Sequence, residues 1–61
     1  MKTFTIFTAK AGETWILNWK KVGSIRARSA QAAARRYLVN PRRIATHRFN
    51  AGEHDYIFDR A

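Results

Sequence analysis

The sequence predicts an α+β fold: a small antiparallel sheet of four or five strands with one helix packed on one face, in the order β-β(-β)-α-β-β. Three observations carry that expectation. Several segments alternate apolar and polar residues with the period of a strand. One segment, Ala30 to Val39, instead places its apolar residues three and four apart behind a serine. With 61 residues and no cysteine, the chain has room for a single domain over residues 1–61, held by a packed core or by self-association.

Lys2 to Ala9 alternates Thr with Phe and Ile and reads as a strand. Lys10-Ala11-Gly12-Glu13 reads as a turn, and Thr14 to Val22, rich in Trp, Ile and Leu, as a second strand. A four-residue hairpin loop sets Ala9 opposite Thr14, Phe4 opposite Trp19, Ile6 opposite Leu17 and Thr8 opposite Trp15. Side chains alternate along a strand, so Phe4, Ile6, Thr8, Trp15, Leu17 and Trp19 then share one face and the tryptophans belong to the core. The other face carries Thr3, Thr5, Asn18 and Lys20, with Phe7 beside Ile16. After a bend at Gly23-Ser24, Ile25 and Ala27 point inward and Arg26 and Arg28 outward, on a continued strand or a separate third one.

Ser29 is placed to cap the helix, because its hydroxyl can accept from the free amides of the first turn. The helix's inner face is Ala30, Ala33, Ala34, Tyr37 and Leu38, while Gln31, Arg35 and Arg36 point away. Asn40-Pro41 ends it, since the residue before proline avoids helical backbone. A second hairpin follows: Arg43 to Phe49, a turn over Asn50-Ala51-Gly52-Glu53, and His54 to Asp59. Its four-residue loop sets Phe49 opposite His54, His47 opposite Tyr56 and Ala45 opposite Phe58 on the inner face. Outside, Arg48 meets Asp55 as an opposite-charge pair, and Ile44 and Thr46 meet Asp59 and Ile57.

The charge distribution says more than the net value of +8. Acids occur only at Glu13, Glu53, Asp55 and Asp59, so no carboxylate interrupts Thr14 to Gly52. That span holds Lys20, Lys21, Arg26, Arg28, Arg35, Arg36, Arg42, Arg43 and Arg48. Arginine predominates, and its planar fork suits phosphate or carboxylate better than an ammonium does. Some of this charge is structural, because cations near a helix C-terminus are favoured by the macrodipole. A solvated basic surface would more commonly intersperse both signs.

Catalytic chemistry finds no motif. A nucleophile needs a partnered Ser or Cys, and there is no Cys. Glu53-His54-Asp55 with Asp59 resembles an acid/base or hard-metal cluster in composition, but alternation sends His54 to one face and Asp55 and Asp59 to the other. His47 and His54 are instead expected as half-buried partners of Tyr56 and Phe49. The chain is therefore read as no enzyme, with no cofactor and no metal. The start, Met1-Lys2 with a short apolar run, is too brief for a signal segment, so the chain is read as unprocessed and cytoplasmic, without membrane contact.

The hairpin, the "IRARS" strand and the alanine-rich helix resemble, over roughly the first forty residues, the strand–strand–strand–helix DNA-binding domains at the N-termini of some phage-type integrases. The C-terminal hairpin departs from that pattern, so the resemblance is one of architecture. The expected function is a small nucleic-acid-binding protein that contacts phosphates through Lys20, Lys21, Arg26, Arg28, Arg35, Arg36, Arg42 and Arg43, with duplex DNA favoured over RNA. The alternative is a phage- or plasmid-type accessory module that docks its basic face on an acidic protein. An open sheet edge offers a route to a homodimer.

Overall fold

The computed structural model describes residues 1–60, apart from the side chain of Ile16. The elements in chain order are β1 (Lys2–Lys10), β2 (Lys20–Ala27), α1 (Ala30–Tyr37), β3 (Arg42–Ala45), β4 (Arg48–Ala51) and β5 (His54–Arg60). A 3-10 turn over Ile16–Asn18 lies between β1 and β2. The strands form one antiparallel sheet in the order β2-β1-β5-β4-β3, with α1 packed over β2 and β5. The α+β class and the single helix on one face are as the sequence predicts, with three strands after the helix.

The core is set by strand parity and by alanine. Phe4 and Ile6 of β1, Phe49 of β4 and Phe58 of β5 are buried beneath Ala30, Ala33 and Ala34 of α1, with Ala27 at the end of β2. Tyr37 packs edge-on against Tyr56 and Phe58, with ring centroids 6.3 and 6.2 Å away, while part of its ring stays exposed. Phe49 and Phe58 meet edge-on at 5.8 Å. Ser29 caps α1 as expected, its Oγ accepting from Ala32 N at 3.2 Å. The helix stops at Tyr37, short of Val39: Leu38 is extended, its N–H reaching back to Ala34 O. Asn40, at φ 49, then turns the chain toward β3 just ahead of Pro41.

Two expectations about the sheet are corrected. First, the strand predicted over Thr14 to Val22 begins only at Lys20, and β1 pairs Phe4 with Ile25 and Ile6 with Gly23. The expected continuation through Gly23-Ser24 is therefore the body of β2, with Ile25 and Ala27 turned inward as predicted. Glycine and alanine inside β2 let an alanine-faced helix approach closely, which tryptophans at those positions would prevent. Trp15 is 65% exposed and Leu17 83% exposed, so neither belongs to the core. The expected Phe7–Ile16 contact lies outside the described side chains.

Second, the single strand expected over Arg43 to Phe49 is two strands, folded back at Thr46-His47. The next hairpin closes through two residues, Gly52 and Glu53, rather than four, so Phe49 faces Tyr56 and Asn50 faces Asp55. Gly52 at φ 66 supplies the positive dihedral that a tight hairpin turn needs at its first central position. The shift is by an even number of residues, so the predicted faces survive on β4 and β5 while the partners change. Ala45, expected inward opposite Phe58, instead pairs with Arg48 on the other face, because β3 is bulged between Arg43 and Ala45. His47, in a turn, and His54 are exposed rather than half-buried.

Candidate nucleic-acid interface

Alternation separates the charges between the two faces of the sheet. In the β1–β5–β4 registers, Phe4, Ile6, Phe58, Tyr56 and Phe49 share the helix face with Lys2, Arg60 and His54. Arg43 joins them on β3 because it pairs with Phe49. Asp55 and Asp59 fall on the opposite face, with Phe7, Ile57, Arg48 and Asn50. Glu13 lies on that opposite face too, because Arg48 Nη2 donates to its backbone oxygen at 3.1 Å. Glu53 sits in the hairpin turn.

On the helix face, α1 covers β2 and β5 and leaves a groove between itself and β3. Two adjoining depressions of about 380 and 260 Å³ make up this groove and share Gln31 and Arg43. Arg35 and Arg43 line the first, with Leu38, Asn40 and the edge of Phe49. The second, at the N-terminal end of α1, is lined by Lys2, Ser29, Arg43, His47 and Arg60 among others. None of the described carboxylates lines either depression.

The eight basic residues singled out by sequence do not form one surface. Arg35 and Arg43 meet across the groove. Arg36 lies against the outer edge of β2 and donates to Arg26 O at 3.3 Å. The side chains of Lys21, Arg26 and Arg42 project to the opposite face by their pairing with Phe7, Thr3 and Asn50, whereas Lys20 is on the helix side. Arg28 precedes the helix cap and is exposed. β2 and β3 are the two edges of a five-stranded sheet, so Lys20, Lys21 and Arg26 lie roughly 19 Å from Arg42 and Arg43. Lys2 and Arg60 join the groove although both lie outside the carboxylate-free span. Neither was expected from the sequence, where their parity with Phe4 and Phe58 is the signal that could have found them.

The opposite face is held by a polar cluster. Asp55, only 2% exposed, accepts from Gly12 N at 3.1 Å, Arg48 Nη2 at 3.0 Å and Asn50 Nδ2 at 2.9 Å. Burial on its own would raise the Asp55 carboxyl. The hydrogen bonds from Asn50, Gly12 and Arg48, with the Arg48 charge, outweigh it and hold the group below the ordinary carboxylate value. The predicted Arg48–Asp55 pair thus forms, though as a diagonal rather than a directly opposed contact. Trp19 lies over the Arg48 guanidinium at 5.1 Å, which fastens the far end of the 11–19 segment to the same cluster.

Among the described residues, no group of three or more His, Asp or Glu side chains is placed to hold a metal, and no helix is long and apolar enough to cross a membrane. Comparison with family models, curated proteins and solved structures gives no match for this chain.

Proposed function

We propose that this protein binds nucleic acid through the groove on its helix face, with Arg35 and Arg43 gripping phosphates from opposite walls and Lys2 and Arg60 extending the contact. The observation that supports the reading is the sorting of charge: four cations and no described carboxylate line the groove, while three of the four acids lie on the other face. A polyanion approaching the helix face meets attraction without local repulsion. Gln31 and Ser29 add neutral polar groups between the cations.

The contact proposed is to the phosphate backbone. Phe49 and Phe4, the aromatic residues that line the groove, are 2% and 1% exposed and offer no face for a base to stack on. That favours duplex DNA over a single strand, whose binders rely on exposed aromatic platforms. Of the eight residues expected from sequence, Arg35 and Arg43 are retained as direct contacts, and Lys2 and Arg60 are added.

The test is a titration of the protein with duplex DNA, single-stranded DNA and RNA across a salt series. Four neutralised phosphates give a slope of log affinity against log salt of about −3.6 on duplex DNA. Absence of binding to all three at low salt would remove the proposal. One observation favours a second reading, a basic face for an acidic protein partner: Val39 is 84% and Ile44 49% exposed, beside the groove residues Asn40 and Arg43. On that reading Val39→Ser/Ile44→Ser weakens partner binding, whereas on the first it leaves nucleic-acid affinity unchanged.

A further inference from the structure

The segment joining β1 to β2 spends two large apolar side chains on solvent. Trp15 is 65% exposed and Leu17 83% exposed, yet the segment is fastened on both sides of them. Before them, Gly12 N donates to Asp55, and Arg48 donates to the backbone oxygen of Glu13. Trp15 N donates to Glu13 Oε1 at 2.8 Å, and Asn18 N to Trp15 O at 3.0 Å. After them, Trp19 lies on Arg48. A segment tied down this firmly presents Trp15 and Leu17 at little ordering cost when they are covered, which is the property of an interface anchor.

What lies beside them is a cleft of about 400 Å³ on the face opposite the helix, lined by Phe7, Glu13, Thr14, Trp19, Arg48, Ile57 and Asp59. We propose that a second copy of this chain covers this face: a two-fold dimer forms with the helix faces outward, each copy placing Trp15 and Leu17 on the other's Phe7–Ile57 cleft.

Three features select a second copy as the occupant. The first is charge. Glu13, Asp55 and Asp59 lie on this face and offset all but one of the cations that pairing directs there, Lys21, Arg26, Arg42 and Arg48, so a chain of net charge +8 repels its own kind least here. The second is self-complementarity. Lys21, paired with Phe7, shares this face with Glu13 and Asp59, so a two-fold axis passing between Lys21 and these acids sets Lys21 of each copy against acids of the other. The third is area. The molecule's two longer dimensions are 29 and 22 Å, so one face offers on the order of 600 Å² in outline, approaching the roughly 800 Å² per partner of a standard interface.

The sheet edges suit a partner less well. Arg36 caps an outer carbonyl of β2, and β3 is four residues long, follows Pro41 and is bulged between Arg43 and Ala45. The proposed arrangement does not depend on the nucleic-acid reading, although it would present two basic grooves on opposite sides of one particle.

Sedimentation equilibrium over roughly 1 μM to 1 mM, the range of weak to moderate self-association, tests it. The expected result is a rise from the mass of one chain toward two. Trp15→Ala/Leu17→Ala should shift that rise to concentrations at least about 30-fold higher, the effect of losing an interface hot spot. Both side chains are exposed, so an unchanged thermal midpoint at low concentration will show that the variant is folded. In a Trp19→Phe chain, which keeps a ring over Arg48, Trp15 emission should move to the blue as the protein is concentrated. One-chain mass throughout overturns the proposal. So does a dimer indifferent to Trp15→Ala/Leu17→Ala, which would place the contact at a sheet edge. A monomer whose Trp15 emission responds to single-stranded DNA or to anionic lipid vesicles also overturns it, and assigns the surface to that ligand. Loss of all nucleic-acid binding in a chain that still dimerises would count only against the function proposed above.

Discussion

Asp55→Ala is expected to be the most damaging single polar substitution on the face opposite the helix. Asp55 is 2% exposed and accepts three hydrogen bonds from Gly12, Arg48 and Asn50. After truncation two of the donors keep other partners: Arg48 Nη2 still reaches Glu13 O at 3.1 Å, and Asn50 Nδ2 still reaches His54 O at 3.2 Å. The Gly12 amide is left with nothing in their place, and Arg48 loses its counter-charge. Charge-assisted bonds are worth about 1.5–3 kcal/mol each, but the two retained contacts and the partial exposure of Arg48 reduce the sum to about 2–4 kcal/mol. A domain of this size has only about 3–9 kcal/mol in total. Urea unfolding will read the loss directly, and the melting midpoint should fall by roughly 10–25 °C.

The same residue sets a pH signature. Its carboxyl is held below the ordinary value in the folded chain, so its contribution is complete at neutral pH. That contribution is lost as the pH falls through about 4, where the unfolded chain takes up the proton, toward the lower folded value. Asp55→Asn keeps the shape without the titration, so its midpoint should decline less steeply than wild type between about pH 5 and pH 3, on the scale of the carboxylate range. Both chains gain positive charge over this range, and the difference between them isolates Asp55. A loss below about 0.5 kcal/mol in Asp55→Ala, within the noise of an ordinary surface change, or parallel acid curves for Asp55→Asn, would refute the reasoning.

Two further changes probe the helix. Ser29→Ala removes the acceptor for Ala32 N and should cost about 1 kcal/mol by urea unfolding, with no new cavity to add to it. Ala33→Leu should cost about 1–3 kcal/mol, because Ala33 is 0% exposed where α1 meets the sheet and extra methylenes must push the two layers apart. An Ala33→Leu chain as stable as wild type would mean that the layers are looser than the burial of Ala33 and Ala34 implies.

The parts of the fold that were legible in the sequence are those fixed by local chemistry. The Ser29 cap, the alanine face and the parity of Ile25 and Ala27 follow from periods of 3.6 and 2 that tertiary contacts do not alter. The register was less legible. "TWILNWK" alternates as a strand does, and nothing local reveals that Trp19 will be drawn onto Arg48, nearly thirty residues away. That long-range contact, with the Gly12–Asp55 bond, turns an apparent strand into an anchored segment and brings Trp15 and Leu17 out of the core. In the second hairpin, Gly52 could close either a two- or a four-residue loop, and the Arg48–Asp55 attraction is satisfied by both registers. The groove residues divide in the same way. Arg35 and Arg43 stand out as charges in the chain, but Lys2 and Arg60 join them only through the strand order β1-β5-β4-β3.

The central claim is that the charge-sorted helix face, rather than basic charge in general, receives nucleic acid. Its most direct test compares two double variants that remove the same charge from opposite faces. Arg35→Ala/Arg43→Ala empties both walls of the groove, and Arg26→Ala/Arg42→Ala removes two arginines whose pairing directs them to the other face. Measured on one duplex DNA across a salt series, the groove pair should make the slope of log affinity against log salt shallower by about 1.8, while the other pair leaves it as in wild type. Equal losses from the two pairs, or a loss confined to Arg26→Ala/Arg42→Ala, would contradict the account.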